Sequence, residues 1–558
     1  MSHGVGRVDG VAGCGDVVRP GDSSALRKAR GAFFTPPHLC RFIAQWAVRG
    51  AHDRVLEPSC GEAAFLLEAA AVLETFGAIE PEQLRGIELH EDSARLAEIR
   101  LGQQGITGAL EVGDFFGTAP RPHDAVIGNP PYVRYQDFNG PDRAGALTAA
   151  RAAGVELSRL ASSWAAFTAH AAASVAKGGR LGLVLPAELL TVNYAQPLRA
   201  FLLARFTTVR LVLFQERIFP GVSEEVVLLL AEGDGPTSTI EVCEVPNAAA
   251  LTTVEVLPWR RYIPDTDSRW SSALLAGEVS STFTAVSSGG GFVPLLAWGD
   301  PDLGMVTGNN NYFALSPTMA GDLGLSDREV TPISPPGSRH LRGLALTLAA
   351  WKSLGARGAR TLLFTPDPHR PSAAARRYIA QGEAQGVHDA YKCRIRKNWW
   401  QVPVVPQADL LVTCMNHDAP RLVANRAGVL HLNSVHGVVL RAKDRTVGMR
   451  QLPIGMLNSV TVVGAELHGR SYGGGILKLE PKEADRLPVP MPPALRAAAG
   501  DLDAVRPKVE GLLADGRFAD AVGVVDQLLL GRLGVTAEDA VALQDAREYL
   551  FWRRTQRH

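Results

Sequence analysis

Between Arg54 and Tyr132 four short apolar runs each close on a polar or acidic residue, and that rhythm leaves few folds open. Arg54-Val55-Leu56-Glu57 is the first, and Pro58-Ser59-Cys60-Gly61-Glu62-Ala63-Ala64-Phe65-Leu66-Leu67 continues it as a tight turn running into a helix. Arg85-Gly86-Ile87-Glu88-Leu89 follows roughly 30 residues later, the spacing that a βαβ unit requires. A helical stretch (Asp92–Leu101) then leads to Leu110-Glu111-Val112-Gly113-Asp114-Phe115, and Asp124-Ala125-Val126-Ile127-Gly128 delivers Asn129-Pro130-Pro131-Tyr132. In an open α/β sheet, ligands bind outside the carboxyl ends of the strands, so these polar termini should line one crevice.

Each terminus has a chemistry that fits such a crevice. Ser59 and Gly61 are small residues that let a ligand approach the backbone, beside a helix N-terminus that holds polar atoms. Glu88 at the end of the second strand can accept both hydroxyls of a ribose, with Leu89 beside it. Asp114 can accept from an adenine amino group while Phe115 packs on the ring. The two prolines after Asn129 force an extended backbone. The Asn129 amide and a main-chain carbonyl then face one small pocket with an aromatic ring beside them, an arrangement that suits a planar exocyclic amine. Singly, each has a bland alternative: a common turn, a helix cap, a strand end with a packed tyrosine. Four in order, with βαβ spacing, point to S-adenosylmethionine, and the absence of a full GxGxxG weakens a dinucleotide reading.

A chain of 558 residues is too long for one ordinary core, so two or three domains are expected. Its hydrophobic content of 46% and charged content of 20% are those of a globular protein. The zero net charge hides a segregation: residues 53–143 hold 16 acidic and 7 basic side chains, residues 339–400 hold 3 acidic and 12 basic. The six cysteines show no CxxC pair, which argues against a zinc site or disulfide framework and fits a reducing cytoplasm. No run approaches the roughly 20 apolar residues of a membrane span. No metal requirement, a cytoplasmic location and a poorly ordered stretch over residues 1–25 are the corresponding expectations.

The order of these motifs resembles that of the amino-group DNA methyltransferases of the gamma subtype, the TaqI-like enzymes. Gly31-Ala32-Phe33-Phe34-Thr35-Pro36-Pro37 matches the cofactor motif that precedes the glycine turn, which would set Thr35 near the methionine end of S-adenosylmethionine. Glu57, Glu88, Asp114 and Phe115 match cofactor contacts, and Asn129, Pro130 and Tyr132, with Pro131 between them, match the catalytic motif. Ser163-Trp164-Ala165-Ala166-Phe167, Gly178-Gly179-Arg180 and Leu181–Pro186 follow the pattern downstream. Arg217-Ile218-Phe219-Pro220 resembles the segment that supplies a second aromatic to a flipped adenine, which nominates Phe219, with Phe214 as the competing choice. The resemblance is strong over residues 31–232. It implies transfer of a methyl group to adenine N6 in duplex DNA, as the modification enzyme of a type II restriction-modification system. A separate cognate endonuclease, a monomeric state and a palindromic target with a TCGA core are further implications.

The expected architecture is α/β: a Rossmann-like methyltransferase domain with a mixed parallel sheet (26–235), a mixed α+β, loop-rich target-recognition domain (236–490), and C-terminal helices (491–558). In the second domain two stretches stand out. Val306-Thr307-Gly308-Asn309-Asn310-Asn311-Tyr312-Phe313 is rich in amides, and Tyr391-Lys392-Cys393-Arg394-Ile395-Arg396-Lys397-Asn398-Trp399-Trp400 alternates cations with aromatics. On an extended segment, Lys392, Arg394, Arg396 and Lys397 can contact phosphates or guanine edges, and Asn309 and Asn310 can read adenine. The bland alternative for Lys392–Trp400 is an edge strand with a solvated basic face. The same NPPY pocket also serves protein glutamine methyltransferases and adenine RNA methyltransferases. The former are expected to be far shorter. A non-catalytic DNA-binding module is the third class, and the intact NPPY, Glu88 and Asp114 argue against it.

Overall fold

The computed structural model describes residues 35–555 apart from 81, 108, 220–224, 265–268 and 473. The expectations for residues 1–25 and for Gly31–Phe34 therefore lie outside the described residues. The chain divides into two compact units, residues 260–558 with 188–192 forming the second.

The first unit is built on a mixed sheet with strands β1 (Val55–Glu57), β2 (Leu84–Glu88), β3 (Leu110–Val112), β4 (His123–Gly128), β5 (Val175–Pro186), β6 (Thr208–Phe214), β7 (Val226–Glu232) and β8 (Ile240–Val245). Their order is β3-β2-β1-β4-β5-β7-β6-β8. Strands β1 to β5 are parallel, β7 runs antiparallel to β5 and β6, and β8 is parallel to β6. The second half of β5 (Leu181–Pro186) and β7 read as nearly continuous apolar runs because helices cover both faces of such a sheet. Helix α1 (Pro37–Ala47), opened by a proline pair, buries Leu39, Cys40, Phe42, Ile43, Ala44, Trp46 and Ala47. Helices α2 (Ala64–Glu74), α3 (Glu91–Gly102), α4 (Gly140–Ala152) and α5 (Ser163–Ala173) follow, α5 being buried from Ser163 through Ala172. The Rossmann-like, mixed parallel expectation holds. The chain stays in this unit past Gly235, because β8 pairs with β6 and so extends the sheet.

The second unit centres on a sheet of β9 (Gly299–Leu303), β10 (Ala345–Leu346), β11 (Leu410–Thr413), β12 (Leu422–Asn425) and β13 (Val435–Leu440), ordered β9-β13-β11-β12-β10. A smaller three-stranded sheet joins Ala314–Leu315, Leu362–Phe364 and Val330–Pro332. Around it pack the short helices Asn310–Phe313 and Tyr391–Arg394 and the longer α6 (Ala373–Ala384). The closing helices include α7 (Arg445–Gly455), α8 (Ser459–His468), α9 (Ala499–Ala514), α10 (Phe518–Leu529) and α11 (Ala537–Thr555). They share a core with the sheet: Leu502, Val509, Val522 and Val525 meet Leu410, Val412 and Val438. No described helix is long and apolar enough to cross a membrane.

Three histidines of this unit, buried His431 and half-buried His340 and His468, carry a consequence for acid stability. Burial pushes His340 and His431 down to about 4 and His468 to about 3. Neither ring nitrogen of His431 has a hydrogen-bond partner among the described residues. Their ordinary value is 6.5, so below that pH the unfolded chain binds protons that the folded chain refuses. The stability they leave intact above pH 6.5 is lost progressively as pH falls toward 4. Urea midpoints should therefore drop between pH 7 and pH 5.5, a range in which most carboxylates remain ionised. A flat midpoint over that range would contradict the assignment.

Candidate active site

Strands β1, β2, β3 and β4 end side by side, and the loops leaving them are tied together by hydrogen bonds. Glu88 is the centre of this knot. Its Oε2 accepts from the Gly61 amide at 2.8 Å and its Oε1 from the His90 amide at 2.9 Å. Each oxygen keeps one lone-pair direction for a ligand hydroxyl. The β1–α2 turn that Glu88 holds is conformationally demanding: Gly61 sits at φ +52° and Ala63 at φ +63°, the one positive-φ residue other than glycine among the described residues. The turn also lies close over β2, where a Cβ on Gly86 would come within 2.9 Å of Cys60 Sγ and Leu66 Cδ1.

Glu57 has a different position from the one expected of a direct cofactor contact. It is buried beneath the turn, where its Oε2 accepts from the Leu66 amide at 3.0 Å and so fastens the start of α2. Burial pushes its carboxyl well above the usual carboxylate range, although the Leu66 and Phe65 amides pull the other way. It supports the turn from below.

At the end of β3, Asp114 is exposed and its Oδ1 caps the following turn by accepting from the Phe116 amide at 3.0 Å. Phe115 is only 5% exposed, tilted against Phe167 at 4.8 Å and edge-on to His170 at 4.5 Å. It forms a wall. Leu89, by contrast, is 61% exposed beside Glu88, an apolar side chain at a strand end with little to cover it.

The tetrapeptide after β4 is held from three sides. Ser59 Oγ donates to the Asn129 carbonyl at 3.2 Å, and Asn129 Nδ2 donates to Thr35 Oγ1 at 3.2 Å. The Tyr132 hydroxyl is shared between Asn129 Oδ1 at 2.7 Å and the Val184 carbonyl at 2.9 Å. Both partners of the amide are hydroxyls, which hold it in place from its two ends. Ser163, the first residue of α5, clasps the other side: its Oγ donates to the Pro131 carbonyl at 2.5 Å and accepts from the Val133 amide, while its own amide donates to the Val133 carbonyl. The Pro130 carbonyl between these anchors receives no hydrogen bond among the described residues. An amine acceptor is thus left open within a braced backbone.

The structure gathers Thr35, Ser59, Gly61, Glu88 and the Asn129–Tyr132 segment, and sets Leu89 and Asp114 at neighbouring strand ends. Phe219 and Phe214 are both buried in the core of the first unit, 5% and 2% exposed, so neither presents a ring face here. Two residues escaped the sequence argument. Ser163 was visible only as a helix start. His170, whose Nε2 lies 3.2 Å and 3.0 Å from the Phe115 and Thr118 carbonyls, holds the loop after β3, and burial keeps its ring toward the neutral form.

Comparison with known proteins decides what this arrangement belongs to. Residues 23–250 match the N-6 DNA Methylase family, and residues 267–530 match the C-terminal domain of the type II methyltransferase M.Eco57I. The first unit is similar to N-6 DNA methylases over most of its length. Among curated relatives, type II methyltransferase M.XamI of Xanthomonas campestris pv. amaranthicola is 26% identical over 82% of this chain and 85% of its own. Type II methyltransferase M.AccI of Acinetobacter calcoaceticus is 19% identical over the same shares. In fold, the chain is similar to the type IIL restriction-modification enzyme MmeI, solved in complex with DNA, at a TM-score of 0.56 and 12% identity. That likeness covers 91% of this chain and 73% of the other.

Family members draw their methyl group from S-adenosylmethionine. The strand ends of the first unit fit it: a carboxylate with two spare lone pairs at Glu88, an uncovered leucine beside it and an exposed carboxylate at Asp114. Glu88→Ala is expected to weaken S-adenosylmethionine binding by about 1–3 kcal/mol through unpaired hydroxyls. Calorimetry on a variant with a normal melting curve checks this, and an unchanged Kd would remove Glu88 from the site.

The candidate recognition residues of the second unit are redistributed. Residues 391–394 form a short helix rather than an edge strand. Arg396 is turned inward: its Nη2 donates to the Val306 carbonyl at 2.5 Å and its Nη1 to the Trp399 carbonyl at 3.3 Å. It joins the two conspicuous segments instead of reaching outward. Asn309 caps the helix Asn310–Phe313, its Oδ1 accepting from the Asn311 and Tyr312 amides. Lys392, Arg394 and Lys397 are exposed.

Proposed function

We propose that this chain transfers a methyl group from S-adenosylmethionine to N6 of an adenine flipped out of duplex DNA, as the modification enzyme of a type II restriction-modification system. The observation that carries the reading is the open Pro130 carbonyl beside the Asn129 amide, which is held in place by the hydroxyls of Thr35 and Tyr132. Two acceptors there take the two hydrogens of an exocyclic amine. Holding those hydrogens draws the nitrogen lone pair out of ring conjugation and aims it along one direction. When bound, S-adenosylmethionine supplies an electrophilic methyl group on a sulfonium. Thr35 orients Asn129 from the side of the cofactor motif. The Tyr132 ring offers a stacking face, worth roughly 1–3 kcal/mol per base. Adenine in a duplex lies inside the stack and reaches such a pocket only by flipping.

Lys392, Arg394 and Lys397, on a segment with strong positive bias, are assigned to the phosphate backbone. Lys392→Ala with Arg394→Ala should flatten the salt dependence of DNA binding by about two units of slope. Filter binding over a salt series checks this, and identical slopes would return the segment to a solvated surface. Monomeric action alongside a separate endonuclease completes the proposal.

The deciding experiment incubates the protein with S-adenosylmethionine carrying a labelled methyl group and, in parallel, with duplex DNA, RNA and cell protein. Label in N6-methyladenine of DNA supports the function. Label in cytosine, in RNA adenine or in protein glutamine overturns it.

A further inference from the structure

Helix α5 presents one stripe of side chains to two loops that the sheet keeps apart. Ser163, Phe167 and His170 stand at i, i+4 and i+7, so they share a face and span about 10 Å of the helix axis. The loops they meet leave β3 and β4, which are separated in the sheet by β2 and β1. Three strand spacings put the starts of those loops roughly 14 Å apart.

Both ends of the stripe are bonded to backbone. Ser163 Oγ donates to the Pro131 carbonyl at 2.5 Å and accepts from the Val133 amide at 2.9 Å, while the Ser163 amide donates to the Val133 carbonyl at 3.0 Å. The Pro130 carbonyl lies one peptide before the first of these anchors, and Ser59 holds the Asn129 carbonyl on its other side. At the far end His170 Nε2 lies 3.2 Å from the Phe115 carbonyl and 3.0 Å from that of Thr118. Carbonyls only accept, so Nε2 carries the proton of the ring. Nδ1 is buried with no partner among the described residues. Between the two ends the Phe167 ring rests against Phe115 at 4.8 Å. The helix has little room to shift: it is buried from Ser163 through Ala172, and Trp164 Nε1 donates to the Tyr194 hydroxyl at 3.2 Å.

We infer that α5 is the spacer that sets the amine acceptors of the Asn129–Tyr132 segment at a fixed distance from the wall of the cofactor's adenine pocket, with Ser163 and His170 as the positioning residues at its two ends. The inference rests on the methyl-transfer reading above and on Phe115 as that wall. In-line displacement makes the spacing decisive, because reacting atoms must approach to about 3–3.5 Å and a misplacement of about 1 Å costs on the order of 10²-fold. The sulfonium of S-adenosylmethionine is joined to the ribose of its adenosine. An error between the adenine wall and the acceptors therefore reappears in the gap that the methyl group crosses. Ser163 and His170 bond only to the loops, so each acts through another residue.

The two ends should carry different signatures, read on the full chain at the duplex site found by sequencing methylated DNA. Ser163→Ala should slow single-turnover methylation about 10- to 100-fold. Its S-adenosylmethionine affinity by calorimetry, and its flipping of a 2-aminopurine reporter, should stay within about twofold of wild type. Ser163→Thr keeps the hydroxyl and should restore most of the rate. His170→Leu should weaken S-adenosylmethionine about tenfold and slow transfer at saturating cofactor far less. His170→Gln returns a donor and should recover much of the affinity. Ser163→Ala added to Asn129→Ala should cost less than about threefold more, since both act through one pair of acceptors. If Ser163→Ala melts early, Ser163→Cys, which fills similar space with a weak donor, is held to the same criteria. A helix that merely filled the core would lower rate and cofactor affinity together at both ends, and that result overturns the inference. So does a Ser163→Ala variant that keeps more than half the wild-type rate. Failure of wild type to methylate DNA at all would instead overturn the underlying function.

Discussion

Asn129→Ala is expected to bind S-adenosylmethionine almost as well as wild type and to lose methyl transfer by about 10²–10³-fold or more. The magnitude is that of removing one preorganised group that acts on charge developing in the transition state. Cofactor affinity is spared because the Glu88 contacts and the turn they hold do not pass through the Asn129 side chain. The amide itself is held by Thr35 Oγ1 on one end and the Tyr132 hydroxyl on the other. Two tyrosine variants separate orientation from stacking. Tyr132→Phe keeps the ring and loses the bond to Asn129 Oδ1, so a drop of roughly threefold to tenfold is expected. Tyr132→Ala also removes the stacking face and should weaken capture of a 2-aminopurine reporter at the target. Single-turnover methylation with parallel calorimetry reads all three. If Asn129→Ala kept more than a tenth of wild-type activity, the proposed role of NPPY would fail.

The strand ends were legible because a parallel sheet imposes a period that one chain displays by itself: apolar run, polar terminus, helix, next run. Ser59, Gly61, Glu88 and Asn129 converge for that reason, whereas Thr35, ahead of the first helix, was reached only through the resemblance of Gly31–Pro37 to a cofactor motif. What stayed hidden depends on partners distant in sequence. The clasp of Ser163 on Pro131 and Val133 spans about 30 residues, and a serine opening a helix looks like any cap. Glu57 carries the same side chain as Glu88, but only the packing of α2 over it decides that it faces a helix start. The first unit continues through β8 because Ile240–Val245 pairs with β6, a pairing that the glycine and proline run at 233–236 conceals. The segment 391–400 misled through its composition. Alternating cations and aromatics suggest period two, whereas the bond from Arg396 to the Val306 carbonyl and a single helical turn settle its shape.

Arg554→Ala should cost the second unit about 3–5 kcal/mol, the usual result of stripping one partner from a buried ion pair. Arg554 near the end of α11 meets Glu466 of α8 through two bonds, Nε to Oε2 at 2.9 Å and Nη2 to Oε1 at 2.8 Å, with both side chains 4% exposed. Its remaining hydrogens satisfy the carbonyls of His417, Asp418 and Gly475. One guanidinium therefore ties two helices to the loop after Asn416 and to the turn before Ile476–Lys478. Burial pushes the Glu466 carboxyl up, and Arg554 opposes that shift. Without the arginine the carboxyl is left buried, unpaired and driven toward its protonated form, alongside three unbonded carbonyls. Glu466→Leu combined with Arg554→Met removes both charges and should recover much of the loss, since well-packed apolar pairs often replace buried ion pairs at little cost. Urea denaturation of the full chain, with S-adenosylmethionine binding as a readout of the first unit, distinguishes the cases. A single Arg554→Ala variant within about 1 kcal/mol of wild type would show that this contact contributes no more than an exposed pair.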